Sequence, residues 1–304
     1  MIRTLLCSLL LSLLSNGQAQ VPTFSADVRV VSLLATVRDR SGGIVKNLTK
    51  DDFRLEEDGR RQTIGYFSRE TDLPLTLTLL VDTSRSMQTV FDPERAASNR
   101  FLEKILREDR DVAAVVHFDV EVGVLQDFTP SRQKLAAALE HLRIPPRPAT
   151  LLYDAVKQAS DDLMRKQNGR KAFILLSDGL DVRSQTSIGN AIEAAQRADT
   201  MIYTILFAHR PNRGRGRNAK KNQERGRKVM RRLAEETGGG FFEVSADNPI
   251  DKIYEQIEDE LRSQYSIGFT PDRALVPGGA YRKLKLATVH KDLAVRTRDG
   301  YYPQ

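Results

Sequence analysis

The chain has 304 residues, enough for one large or two modest domains with real cores, and its 40% hydrophobic and 29% charged residues are those of an ordinary globular protein. Its net charge of +7 is concentrated, because residues 210–228 (RPNRGRGRNAKKNQERGRK) hold nine Lys or Arg against one Glu, a local balance of +8, and leave the remainder near neutral. The single cysteine, Cys7, excludes a disulfide framework, so the fold must rely on its core for stability.

The first nineteen residues read as a secretory signal peptide. Arg3 supplies the positive start, LLCSLLLSLLS is an apolar run too short to span a bilayer, and Gly17 and Ala19 occupy the positions a signal peptidase reads. Cleavage is expected after Ala19, which removes Cys7 and implies a periplasmic or secreted protein with no transmembrane segment left.

Residues 24–72 carry a β pattern. VRVVSLLATVRD is β-branched and apolar, RSGGIV is a hairpin-type turn, and DDFRLEEDGRRQTIGYF alternates Phe53, Leu55 and Glu57, turns at Asp58-Gly59 and resumes at Ile64 and Phe67. From Leu73 to about Gln264 strand-like runs alternate with helical ones. LTLTLLV, VAAVVHF, AFILLS and MIYTILF are apolar on both faces. Between them come stretches with apolar residues every three or four positions: Ala97, Phe101 and Ile105; Leu135, Leu139 and Leu142; Leu152, Val156, Ala159 and Leu163; Ile188, Ile192 and Ala195. Such alternation predicts an α/β fold, doubly wound, with a mostly parallel central sheet and helices on both faces.

Residues 210–228 lack apolar periodicity and read as a basic disordered loop within that unit, followed by a short helix around Met230 and Leu233. Asn248-Pro249 is expected to cap and start a last helix with Ile250, Ile253, Ile257 and Leu261 on its buried face. After Gln264, YSIGFTP, YRKLKLATV and LAVRTRDGYY are three strand candidates. Neither terminal β segment could make a core alone, so 24–72 and 265–304 are expected to pack together as a discontinuous β-sandwich-like domain into which 73–264 is inserted.

Ligands of doubly wound sheets bind beyond the carboxyl ends of the strands. There the sequence places Asp82-Thr-Ser84-Arg-Ser86, Thr150, and Ser177-Asp178-Gly179 with Asp181 nearby. In an extended segment Asp82, Ser84 and Ser86 point the same way. Two carboxylates and three hydroxyls form an incomplete shell of hard oxygens, which suits Mg²⁺ first and also Mn²⁺ or Ca²⁺, and which zinc does not favour. Taken singly, each residue has a blander reading: Ser86 or Thr150 as a helix cap, Asp178 as a strand end, Asp181 as a cap.

Together these positions resemble the metal-ion-dependent adhesion site of von Willebrand factor type A domains. Asp-x-Ser-x-Ser at 82–86, Thr150 in TLLYDAV and Asp178 in ILLSDGLD match its motifs in order, and the resemblance spans roughly 73–264. The flanks DDFRLEEDG, YSIGFTP and VRTRDGYY resemble, less closely, bacterial exported proteins with such a domain embedded between β segments. The resemblance implies that Ser84 and Ser86 ligate the ion directly, that Thr150 does so in a ligand-bound state, and that Asp82 and Asp178 act through waters, or Asp178 directly without ligand. It also implies a protein partner that donates a Glu or Asp carboxylate, and in several members coupling to the last helix.

Enzyme classes fit poorly. A haloacid-dehalogenase-type phosphatase needs a second Asp where Ser84 stands, DTSRSM lacks the glycines of a dinucleotide turn, and His117, His141, His209 and His290 have no metal spacing. The expectation is a metal-dependent protein-binding module without a small-molecule substrate. The alternatives are polyanion or nucleic-acid binding through 210–228, disfavoured because no aromatic interleaves the charges, and a purely structural metal.

Overall fold

The computed structural model describes residues 30–69, 73–207 and 217–303. The signal segment 1–19 lies outside these residues, and among them no helix is long and apolar enough to cross a membrane.

In chain order the elements are β1 (Val31–Arg38), β2 (Phe53–Glu57), β3 (Arg60–Gln62), β4 (Ile64–Ser68), β5 (Leu75–Asp82), α1 (Phe91–Ile105), β6 (Val112–Phe118), β7 (Val122–Thr129), α2 (Arg132–Glu140), α3 (Leu152–Gln158), β8 (Arg170–Ser177), α4 (Ile188–Arg197), β9 (Thr200–Leu206), α5 (Arg217–Thr237), β10 (Phe241–Glu243), α6 (Ile250–Leu261), β11 (Tyr265–Phe269), β12 (Arg282–Thr288), β13 (Ala294–Arg296) and β14 (Gly300–Tyr301). The central sheet runs β10-β9-β8-β5-β6-β7. All its neighbours are parallel except β6 and β7. Strands β5, β8 and β9 are buried along their whole length. Their unbroken apolar runs follow from helices covering both faces: Leu75, Leu77, Leu79 and Val81 pack with α1, α2 and α6. Leu80, Phe173 and Leu175 pack with α3, α4 and α5.

Strand order reverses between β5 and β8, so the crevice of this sheet opens beyond their carboxyl ends. The register pairs Val81 with Leu176 and so sets Asp82 beside Ser177.

Two smaller antiparallel sheets, β13-β1-β11-β4 and β14-β12-β2-β3, are built from both ends of the chain. Their shared core joins Leu33, Phe53 and Leu55 to Tyr265, Ile267 and Leu286. Phe53, Phe67 and Tyr265 meet ring to ring at 5.3–5.7 Å. At Asp58 and Gly59 the backbone takes φ of 48° and 77°, the paired left-handed geometry that a two-residue hairpin demands.

Three expectations need correcting. Residues 217–228 are not a disordered loop: they are the first half of α5, and 208–216 fall outside the described residues. Burying Met230 and Leu233 contributes about 1.5–3 kcal/mol per side chain, whereas like charges one turn apart cost only about 0.2–0.5 kcal/mol per pair. Arg231–Glu235 and Arg232–Glu236 also pair along the helix. Asn248 does not cap α6; Pro249 stands at the N-cap, and the Asn248 amide turns back toward the Glu243 carbonyl. LAVRTRDGYY is two strands, not one, because Thr297 hydrogen-bonds to the Leu34 carbonyl and Arg298 pairs with Asp199, which turns the chain from one sheet to the other.

Candidate metal centre

The carboxyl end of β5 delivers Asp82, fully buried, to the switch point. Its Oδ1 accepts from the Ser84 N–H at 2.9 Å and its Oδ2 from the Ser177 hydroxyl at 2.6 Å. The Ser177 oxygen accepts in turn from the Gly179 N–H at 2.9 Å. Ser177 thus ties the two acid-bearing loops together. Ser84 and Ser86 sit with their hydroxyl oxygens 2.9 Å apart, as alternate spacing predicts.

Asp178 is almost fully buried, and its Oδ1 accepts from the Leu180 N–H at 3.0 Å. Thr150 reaches the same region by a two-way backbone pair with Val182, at 3.1 and 2.8 Å. The next residue, Leu151, donates its N–H to the carbonyl of Asp119, which is buried at the end of β6 and accepts from the Thr83 hydroxyl. Four loops are therefore knit together, and they bring Asp82, Ser84 and Ser86 against Asp178 and hold Thr150 on the segment that follows it.

The capping roles open to the three hydroxyls are not taken. Ser84 precedes a 3-10 turn without a side-chain cap, α1 begins after Val90 and not at Ser86, and α3 begins after Leu151 with no cap from Thr150. Asp181 does cap, from a distance: it accepts the Tyr153 N–H at 3.2 Å, and Asp154 answers by accepting from Gln185 and Thr186 at 3.0 and 2.9 Å.

Two carboxyls lie close together in the buried part of the site. Burial first, and then the Asp178 charge, push the Asp82 carboxyl up to about 7, against the pull of the Ser177 and Ser84 hydrogen bonds. Glu94 of α1 was missed in the sequence. It is 1% exposed, neither of its oxygens has a hydrogen-bond partner among the described residues, and burial and then Asp82 raise its carboxyl well above the ordinary range. Ser177 was missed as a participant too, although a hydroxyl between Leu176 and Asp178 at a strand end was a usable signal. Gly226 could not have been found: a Cβ there would lie 2.1 Å from the Asp178 carbonyl oxygen.

The donor set fits a hard divalent cation. Two buried carboxyls share a loop junction with three hydroxyls that no helix end claims. Among the described residues no cluster of three or more His, Cys, Asp or Glu is arranged for a metal, so any metal here depends on hydroxyl ligands.

The family model for the von Willebrand factor type A domain matches residues 76–256. Proximal thread matrix protein 1 from the mussel byssus, in a form with a zinc-occupied MIDAS motif, superposes with a TM-score of 0.52 at 14% identity. That match covers 69% of this chain and 50% of the mussel one, so the chain spans half of that relative's length. BatB from Bacteroides thetaiotaomicron aligns at a TM-score of 0.49 and 14% identity, over 62% of this chain and 97% of that one. The corresponding domain of the type V pili tip protein Mfa5 from Porphyromonas gingivalis aligns at 0.48 and 16%, over 62% and 94%. At 14% identity the mussel structure establishes likeness of fold alone. A search of curated proteins finds no match.

Proposed function

The chain belongs to the von Willebrand factor type A domain family, a fold that commonly mediates protein–protein contacts, and we propose that it is an exported, metal-dependent protein-binding module that takes a partner's Glu or Asp carboxylate at the carboxyl end of its sheet. One observation carries the reading: the hydroxyls of Ser84, Ser86 and Thr150 are spent on no helix cap, yet stand beside two buried carboxyls that repel each other.

Ser84, Ser86 and Thr150 would hold the cation through their hydroxyl oxygens, and Asp82 and Asp178 would balance its charge. When bound, the cation supplies an under-neutralised coordination position for a carboxylate. Mg²⁺ or Mn²⁺ suits this oxygen set best, and the zinc described for the mussel protein makes Zn²⁺ the necessary competitor. Ser177 keeps Asp82 in place by donating to Oδ2, and the Asp181 and Asp154 caps fix the segments that carry Thr150 and Asp178. The role is binding and not turnover, and no residue is assigned to catalysis. Export rests on the segment 1–19.

Calorimetric titration of the mature chain with Mg²⁺, Mn²⁺ and Zn²⁺, beside Asp82→Ala, tests the reading. One site in the wild type and none in the variant is expected; identical isotherms would sink it.

A further inference from the structure

Helix α5 descends along β9. The Ile202 N–H donates to the Thr237 hydroxyl at 3.0 Å, the Thr204 hydroxyl donates to the Met230 carbonyl at 3.1 Å, and Gly226 lies against the backbone of Asp178 and Gly179. Gly226 therefore marks the level of the metal-site loop, and residues 217–225 rise past it by about 13 Å. The glycine permits this approach, since its own Cβ would overlap the Asp178 carbonyl oxygen.

On the projecting part and just below it, Asn218, Lys221, Arg225 and Lys228 recur every three or four residues and form one stripe. A groove of about 760 Å³ runs along it, lined also by Asn222, Val229 and one acid, Glu224, so that three cations face a single carboxylate there. Lys221, Arg225 and Lys228 are exposed and form no ion pair among the described residues. Their neighbours differ: Arg227 pairs with Glu243, Arg231 with Glu235 and Arg232 with Glu236. The stripe lies to one side of the Gly226 face, with Arg225 the residue next to Gly226. Burial and then Asp181 raise the Tyr153 hydroxyl of α3, while Arg225 and Arg232 pull it down.

The rest of the rim has the same sign. Arg85 lies between Ser84 and Ser86, and Arg183 bridges beside Thr150 with its backbone at φ 91°. Both are exposed without an ion partner among the described residues. Of the nearby acids, Asp154 and Asp181 are committed to caps, and Glu121 is exposed.

We propose that the metal site and the α5 stripe read a single acidic polypeptide segment, with one carboxylate at the cation and further Glu or Asp residues against Lys221, Arg225 and Lys228. This rests on the metal-dependent binding proposed above and adds the partner's chemistry to it. Three unpaired cations spread over about 10 Å of helix match a few carboxylates of one peptide. The groove offers no aromatic on which a base could stack.

The test is fluorescence anisotropy on the mature chain in excess Mn²⁺, with labelled octaglutamate and a Gly/Ser octapeptide carrying one central Glu. Octaglutamate should bind roughly tenfold tighter, the sum expected of three exposed ion pairs. Lys221→Glu/Arg225→Glu/Lys228→Glu should erase that preference and leave single-Glu binding and the circular dichroism unchanged. EDTA or Asp82→Ala should abolish both. EDTA-sensitive single-Glu binding with no octaglutamate preference, or with a preference the triple variant keeps, overturns the stripe and leaves the metal reading standing. Peptide binding indifferent to EDTA overturns the metal reading beneath it. Duplex DNA that displaces octaglutamate more effectively than unlabelled octaglutamate overturns the choice of a polypeptide.

Discussion

The two ends of the central sheet treat buried charge in opposite ways. At the amino end each buried charge is answered. Glu260 of α6, fully buried, meets Arg38 of β1 and Arg296 of β13, and so fastens the inserted unit to the antiparallel sheets. Arg170 donates to the carbonyls of Leu73 and Leu261, where the chain enters and leaves that unit. Burial by itself would raise the Asp111 carboxyl, but bonds from Arg262, Leu75 and Arg107 outweigh it and lower its pKa. At the carboxyl end Asp82 faces Asp178, Glu94 has no hydrogen-bond partner among the described residues, and the hydroxyls of Ser84, Ser86 and Thr150 cap no helix. One end is built for stability, and the other gathers buried carboxyls that a cation, under the proposed function, would balance.

The largest test of this contrast is Glu260→Ala. Two arginines lose their shared carboxylate, and stability should fall by about 3 kcal/mol whether or not metal is present. A loss that Mn²⁺ rescues in thermal melts would contradict the division between the ends.

Gly226→Ala should cost about 2 kcal/mol despite the better helix propensity of alanine, because the new Cβ collides with the Asp178 carbonyl oxygen. Calorimetry should show weaker metal binding as well, since helix and loop must part. Unchanged affinity would mean that α5 does not position Asp178.

Glu94→Met should have the opposite sign. Removing a buried acid with no hydrogen-bond partner among the described residues is expected to stabilise by about 1–2 kcal/mol in denaturant melts. Destabilisation would show that Glu94 is satisfied in the native state.

The pH dependence tests the same contrast without a substitution, because the Ser84 and Ser177 bonds offset the burial of Asp82 only in part. A carboxyl raised from 3.8 to about 7 on folding supports stability below pH 4 and loses that support as pH rises to about 7. Glu94 acts with the same sign. In EDTA the wild type should therefore melt progressively lower across this window. Saturating Mn²⁺ should remove the part due to Asp82, and the remainder should vanish in Glu94→Met. A metal-free melting temperature that is flat from pH 4 to 7 would refute the raised carboxyls.

Much of the architecture could be read from the sequence because burial writes periodicity into it. The two-sided apolar runs at 75–82 and 170–177 specify central parallel strands, and the three-to-four-residue repeat of Ala97, Phe101 and Ile105 specifies a helix on one face. The segment 217–228 misled because Gly226, its one buried position among the described residues, has no side chain, so neither period shows. The split of LAVRTRDGYY depends on Arg298 finding Asp199, a residue 99 positions away in the chain.

The site divides likewise. The identities of Asp82, Ser84, Ser86, Thr150 and Asp178, and their places at strand ends, were fixed by local sequence, because strand alternation and loop position follow from it. The roles of Ser177, Glu94 and Gly226 were decided by tertiary structure alone. A hydroxyl becomes a brace, an acid is buried beside another acid and a glycine becomes a docking point only once β5, β8, α1 and α5 stand side by side. The chain encodes which groups are offered, and packing decides which of them remain unspent.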